Sequence, residues 1–140
     1  ITVVNVNDAP EFTSAPLTDA TEDIAYSYTI TTADVDNTGS ELVITGVTLP
    51  TWLTLTDNGD GTATLAGTPT NSEVGTHNVE LQVTDPGSLS DTQSFTITVA
   101  NVNDAPEFTS TPVTSATEDI AYSYSITTDD VDNTGSELTI

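Results

Sequence analysis

Four short acidic motifs hold most of the chemistry available to this 140-residue chain. Asn-Val-Asn-Asp-Ala-Pro stands at residues 5–10 and again at 101–106. Asp-Val-Asp-Asn-Thr-Gly stands at 34–39 and again at 130–135. Thr-Glu-Asp stands at 21–23 and 117–119, and Asp85 closes the run Val-Thr-Asp. All four offer carboxylate or amide oxygens, which are hard ligands for hard cations. The chain has no Lys or Arg to neutralise them; 22 Asp and Glu face a single His, and the net charge is −22. Two carboxylates about 4 Å apart repel by roughly 4 kcal/mol at an effective dielectric near 20. Clustered acids must therefore stay solvated, take up protons or bind a cation. Ca2+ suits such a set, since it takes 6–8 oxygens where Mg2+ keeps more of its water. Each motif taken singly also reads as turn chemistry, because Asn and Asp side chains bond the nearby backbone.

The same composition removes whole classes of function. Nucleic acid is excluded as a partner, because nothing here can neutralise a phosphate. An anionic membrane surface is excluded for the same reason. The absence of cysteine rules out a disulfide scaffold, thiolate zinc and cysteine nucleophiles. It also fits a bacterial cell surface. No signal peptide or membrane span is present, so any targeting signal is expected elsewhere in a longer polypeptide. Catalysis has no candidate machinery. His77 is the only imidazole and falls on the inward parity of its strand, which assigns it a structural role. No nucleophile elbow, phosphate loop or zinc cluster appears, and a carboxylate pair without a cleft does not make a glycosidase. The chain is read as a non-enzyme.

The elements that must position these motifs come from an internal repeat. Residues 1–44 and 97–140 match at 37 of 44 positions, a period of 96. That is too long for a solenoid unit and suits an autonomous sandwich domain. Residues 1–8 are then the last strand and linker of one repeat, 9–104 a complete repeat, and 105–140 the start of the next. Ile24, Tyr26, Tyr28 and Ile30 share one parity, as do Val79, Leu81 and Val83, and Phe95, Ile97 and Val99. Such alternation marks half-buried strands. Asp-Asn-Gly-Asp-Gly at 57–61 marks a hairpin. Trp52 is read as a core or rim anchor. No run has helical spacing, so the fold class is all-β, an antiparallel sandwich in tandem repeats. In a sandwich the linker, the turn after the second strand and Asp85 meet at one end. An EF-hand is excluded, since loop position 12 counted from Asp34 would be Thr45 and no helix flanks it.

With the linker Ala-Pro and its following Phe, the Glu of Thr-Glu-Asp, Asp-Val-Asp and Val-Thr-Asp, the chain resembles cadherin repeats. Leu-Pro-Thr-Trp-Leu-Thr-Leu, Gly-Thr-Pro-Thr-Asn and the Val-Thr-Asp strand resemble the dystroglycan-type, putative-Ig modules of large bacterial surface proteins and adhesins. The resemblance implies an Ig-like/cadherin-like sandwich with Ca2+ at each junction. At the first seam it implies Asn5, Asn7, Asp8, Asp34, Asp36 and Asp85 as ligands. At the second it implies Glu22, Asn101, the Val102 carbonyl, Asn103, Asp104, Asp130 and Asp132. The linker departs from the animal pattern by opening with Asn and by being one residue shorter, which implies one or two ions per junction. The function implied is a calcium-rigidified repeat in the stalk or filament of an extracellular adhesin or biofilm matrix protein. Its partners are then neighbouring repeats, with like chains or polysaccharide as further candidates. The alternative is a calcium-dependent carbohydrate-binding module, which an exposed aromatic row would favour. The tyrosines fall mostly on the core parity.

Overall fold

The structure is a computed structural model that describes residues 1–133 and 137–140. The chain divides into two compact units, Ile1–Asn101 and Val102–Ile140. Among the described residues every regular element is a strand or a single 3-10 turn.

The first unit is a sandwich of two four-stranded sheets. One sheet has the order β1 (Glu11–Phe12), β3 (Tyr26–Ala33), β6 (Thr62–Gly67), β5 (Leu53–Asp57). The other has the order β2 (Asp19–Thr21), β8 (Ser90–Ala100), β7 (Gly75–Thr84), β4 (Val43–Thr48). The alternation read from the sequence sets the two inner faces. Tyr26, Tyr28 and Ile30 of β3, Leu53 of β5 and Ala63 and Leu65 of β6 meet Ile44 of β4, Val79, Leu81 and Val83 of β7, and Ile97 and Val99 of β8. These apolar side chains leave water together, which is the main favourable term in the fold. Trp52 packs edge-on against Tyr26 at 5.8 Å and against His77 at 5.9 Å, at the rim of this core. His77 Nε2 lies 2.6 Å from the Glu73 carbonyl.

Ile24 departs from the expected pattern. It is exposed, because the backbone turns at Thr21–Ile24 and β3 begins only at Tyr26. The inward parity therefore starts one step later than the apolar spacing suggests. The sequence also hides two 3-10 turns, Gly39–Glu41 and Asn71–Glu73. Each follows a Thr-x-x-Glu capping box, in which the backbone N–H of Thr38 or Thr70 donates to Glu41 or Glu73 at 2.8 Å. The hairpin read at 57–61 forms, with Asp57 paired opposite Ala63.

The register of β7 with β8 defines two poles. Thr84 faces Ser90 at one end and Gly75 faces Val99 at the other. The first pole also receives the end of β3 and the β5–β6 hairpin, since Thr31 faces Thr62. In the second unit, β9 (Glu107–Phe108) pairs antiparallel with β10 (Thr128–Asp129). It repeats local contacts of the first. Thr109 meets Thr127 as Thr13 meets Thr31, and Ser110 meets the Tyr124 hydroxyl as Ser14 meets that of Tyr28. Phe108, Ile120, Tyr122 and Ile126 of this unit are exposed.

Candidate metal centre

The first pole of the Ile1–Asn101 unit gathers six candidate residues from three chain segments. β3 ends at Ala33, and the chain bends through residues 34–36. Asp34 drives that bend: its Oδ1 accepts the backbone N–H groups of Asp36 at 2.7 Å and Asn37 at 3.0 Å. This is the Asx-turn geometry that Asp favours. Its other oxygen, Oδ2, is buried and has no hydrogen-bond partner.

Asp36 reaches back to the linker. Its Oδ1 accepts the Asn5 side-chain N–H at 2.7 Å, and its Oδ2 accepts the Asp8 backbone N–H at 2.6 Å. The Asn5 amide first, and the Asp8 backbone second, hold the Asp36 carboxyl below its usual range. Charge-assisted bonds of this kind favour the ionised form.

Asp85 joins from the β7–β8 loop and is buried at 5% exposure. Its Oδ1 accepts the Leu89 backbone N–H at 2.8 Å and its Oδ2 the Asn7 side-chain N–H at 2.6 Å. Gly87 makes the last contact possible, since a Cβ there would stand 2.8 Å from Asn7 Nδ2. The pole thus brings Asp34, Asp36 and Asp85 together with the side chains of Asn5 and Asn7 and the backbone of Asp8. Sequence reasoning missed two participants. Gly87 carries no ligand atom, and Asn37, whose Nδ2 lies 3.4 Å from Asn7 Oδ1, was read only as part of the turn motif.

The second unit repeats part of the arrangement, the bend and its bond to the linker, with its own residues. Asp130 Oδ1 accepts the backbone N–H groups of Asp132 at 2.9 Å and Asn133 at 3.0 Å. Asp132 Oδ2 accepts the Asp104 backbone N–H at 2.5 Å. Here Asp132 Oδ1 is the buried oxygen without a partner. The Asn103 side chain donates to the Asp104 carbonyl at 2.8 Å. Val102 opens this unit. Glu22 and Asn101 belong to the far pole of the first unit. Thr21 pairs with Ala100, and the Glu22 backbone N–H donates to the Ala100 carbonyl at 3.0 Å. The Glu22 carboxyl is buried at 1% exposure.

The donor set at the first pole is wholly oxygen, and one buried carboxylate oxygen there has no protein donor. Nothing in the chain except His77 could supply a cationic one. These residues fit a hard divalent ion in chemistry: the oxygens are of the type Ca2+ prefers, and the charge needs neutralising.

A two-layer sandwich with a split first strand and Asx turns at one pole places the protein in the Ig-like/cadherin-like class. The chain belongs to the family described as Putative Ig domain, whose sequence model matches residues 9–100. Among solved structures it is similar to an endo-fucoidan hydrolase of glycoside hydrolase family 107, at 29% identity and TM-score 0.58, over 72% of this chain and 15% of that one. It is also similar to protocadherin gamma B2 extracellular cadherin domains 1–5, at 23% identity and TM-score 0.57, over 76% of this chain and 22% of that one. The SrpA adhesin of Streptococcus sanguinis matches at 11% identity and TM-score 0.57, over 77% of this chain and 67% of that one. These last two likenesses are of fold alone. No curated protein matches the chain.

Proposed function

We propose that the chain is a structural repeat of an extended, secreted surface protein, stiffened at its junctions by Ca2+. The observation that carries this reading is the buried Asp34 Oδ2, which has no hydrogen-bond partner in a chain without Lys or Arg. A bound ion would neutralise the Asp34 carboxylate and would tie the linker to the Asp34–Asp36 bend and the Asp85 loop. Asn5 and Asn7 can present their carbonyl oxygens when their amides turn over, since each amide now spends its N–H on a carboxylate. The second seam would draw on Glu22, Asn101, Val102, Asn103, Asp104, Asp130 and Asp132. The fold shared with cadherin repeats and with an adhesin supports a binding or spacing role outside the cell, with no catalytic part for the repeat itself. Neighbouring repeats are then its first partners.

The test is thermal unfolding and small-angle scattering of the chain in Ca2+ and in chelator. A ligand that binds only the folded state must raise its stability. Identical melting temperature and maximum dimension in the two conditions would sink the reading.

The 29% identity to part of an endo-fucoidan hydrolase favours a second reading, a module of a secreted polysaccharide-degrading protein. Direct binding of an anionic glycan is disfavoured by the charge of −22 and would need Ca2+ as a bridge. Trp52 packs between Tyr26 and His77 and is no open stacking platform. A glycan array with and without Ca2+ separates the two readings, and calcium-dependent capture of one polysaccharide would favour the second.

A further inference from the structure

Asn58 and Gly59 are the only Asn-Gly pair in the chain, and they stand at the tip of the β5–β6 hairpin. Such a pair carries its own reaction. The backbone nitrogen of the glycine attacks the side-chain carbonyl carbon of the asparagine, and no Cβ obstructs the approach. The new N–C bond closes a succinimide ring. The proton of the attacking nitrogen passes through water to the amide nitrogen, which leaves as ammonia. Water then opens the ring at either of its carbonyls. One opening gives aspartate; the other gives isoaspartate, whose main chain is longer by a methylene. No reactant besides water is needed.

The folded hairpin holds both reacting groups out of this chemistry. The Gly59 N–H donates to Asp57 Oδ1 at 2.9 Å, so the attacking nitrogen keeps its proton beside a negative charge. Asn58 Nδ2 donates to Thr62 Oγ1 at 2.9 Å, and that hydroxyl donates to Asp60 Oδ1 at 2.6 Å. The amide is thereby tied across the hairpin. Asp57 is anchored in turn, since its Oδ2 accepts the Ile44 N–H of β4 at 3.0 Å. Asn58 and Gly59 are both exposed, so water and hydroxide reach them.

The same tip has no room for a longer main chain. A Cβ on Gly39 would collide with the Asp60 carbonyl, and one on Gly61 would stand 2.7 Å from Gly39 Cα. Thr32 of β3 fixes the far side of the loop. Its N–H and its hydroxyl both donate to the Gly61 carbonyl, at 3.0 and 2.7 Å. A methylene inserted at position 58 would lengthen the loop between two fixed ends, Asp57 and Gly61.

We infer that Asn58–Gly59 is a latent self-modification site: Asp57 and Thr62 hold back succinimide formation, and the isoaspartate product unseats the hairpin tip from Gly39. This goes beyond the stalk reading and does not rest on the cation site.

Peptide mapping by mass spectrometry tests the site. The chain offers trypsin no Lys or Arg, so chymotrypsin is the protease. The protein is incubated in chelator at mildly alkaline pH, folded and in urea strong enough to unfold it. Conversion of Asn58 is read as the amide-to-acid mass gain and the isoaspartate fragment ions. It should run about tenfold faster in urea than in the folded chain, and Asp57→Ala or Thr62→Val should each speed it about fivefold in the folded chain. If Asp57→Ala does not fold, Thr62→Val decides alone, since it keeps a β-branched side chain in β6. The isoaspartate form should melt about 5 °C or more below the parent. Asn58→Asp adds the charge without the methylene and should melt with the parent. Equal rates folded and unfolded, equal rates in the parent and Thr62→Val, or an isoaspartate form that melts with the parent would overturn the inference. All of these readouts are taken without calcium. Their failure leaves the calcium dependence of melting untouched, and failure of the calcium reading leaves them untouched.

Discussion

Replacing Asp34 with Asn separates turn chemistry from cation chemistry at the first seam. The variant keeps Oδ1, and with it the bonds from the Asp36 and Asn37 N–H groups at 2.7 and 3.0 Å. It converts the partnerless Oδ2 into an N–H donor and removes one negative charge from the pole that also holds Asp36 and Asp85. In chelator it should therefore melt at or above the unaltered protein. In calcium the order should reverse. At an ion concentration 100-fold above Kd, binding stabilises by about 2.7 kcal/mol. For a domain near 100 residues, each kcal/mol moves the melting temperature by about 4–8 °C, so calcium should raise it by about 10–20 °C. A tenfold weaker site loses about 1.4 kcal/mol, or about 5–10 °C of that gain. The assay is differential scanning calorimetry of both proteins across a calcium titration. A variant less stable than the parent by the same margin in chelator and in calcium would refute the reasoning, because Asp34 would then act through its turn alone.

Gly87→Ala places a Cβ against Asn7 Nδ2 and should break its bond to the buried Asp85, at a cost of about 1–3 kcal/mol in denaturant titrations even without calcium. Leu65→Ala empties a fully buried site between the sheets and should cost about 2–5 kcal/mol in the same measurement. Asp36, Glu41, Asp60 and Glu73 all have folded pKa values lowered by hydrogen bonds, those of Asn5, Thr38, Thr62 and Thr70 respectively. Their contributions are present above the unfolded carboxylate values of 3.8 and 4.5 and are lost as pH falls through the lowered ones. These carboxyls are exposed and screened by solvent, so the melting temperature in chelator should lose only a small increment on acidification below about pH 4, and Asp36→Asn should remove part of that increment. Tyr26 behaves in the opposite sense: burial pushes its pKa up to about 12, so its contribution is complete below pH 10 and is lost as pH rises through 12. Alkaline melting curves of Tyr26→Phe should lack that loss.

Periodicity of two made the core legible because both sheets bury one face. Tyr26, Tyr28 and Ile30 could be placed inward from spacing alone, and they are buried. Ile24 shares their parity and is exposed, because a turn at Thr21–Ile24 resets the backbone before β3. Alternation states which residues share a face, not where the strand begins. The capping boxes at Thr38–Glu41 and Thr70–Glu73 are written in the sequence, but each caps only a single 3-10 turn, too short to show a helical apolar spacing. Gly87 was not legible, since its role is to leave room for Asn7, and no pattern along the chain reports an absent side chain across 80 residues of separation.

The acidic motifs presented a harder ambiguity, because turns and calcium sites use the same residue types for different reasons. At Asp34 the structure divides the two uses between two atoms. Oδ1 accepts two backbone N–H groups and makes the bend, as any Asx turn requires. Oδ2 is left buried without a donor, and a turn gains nothing from it. Asn in that position would make the same bend without burying a second negative oxygen. Turn formation therefore accounts for an Asx residue at 34 but not for its charge. The second unit differs: Asp130 Oδ1 makes the bend, but the buried oxygen without a partner belongs to Asp132. Near each bend a buried carboxylate oxygen has no protein donor, in a chain without Lys or Arg, and the proposed cation site rests on these two oxygens.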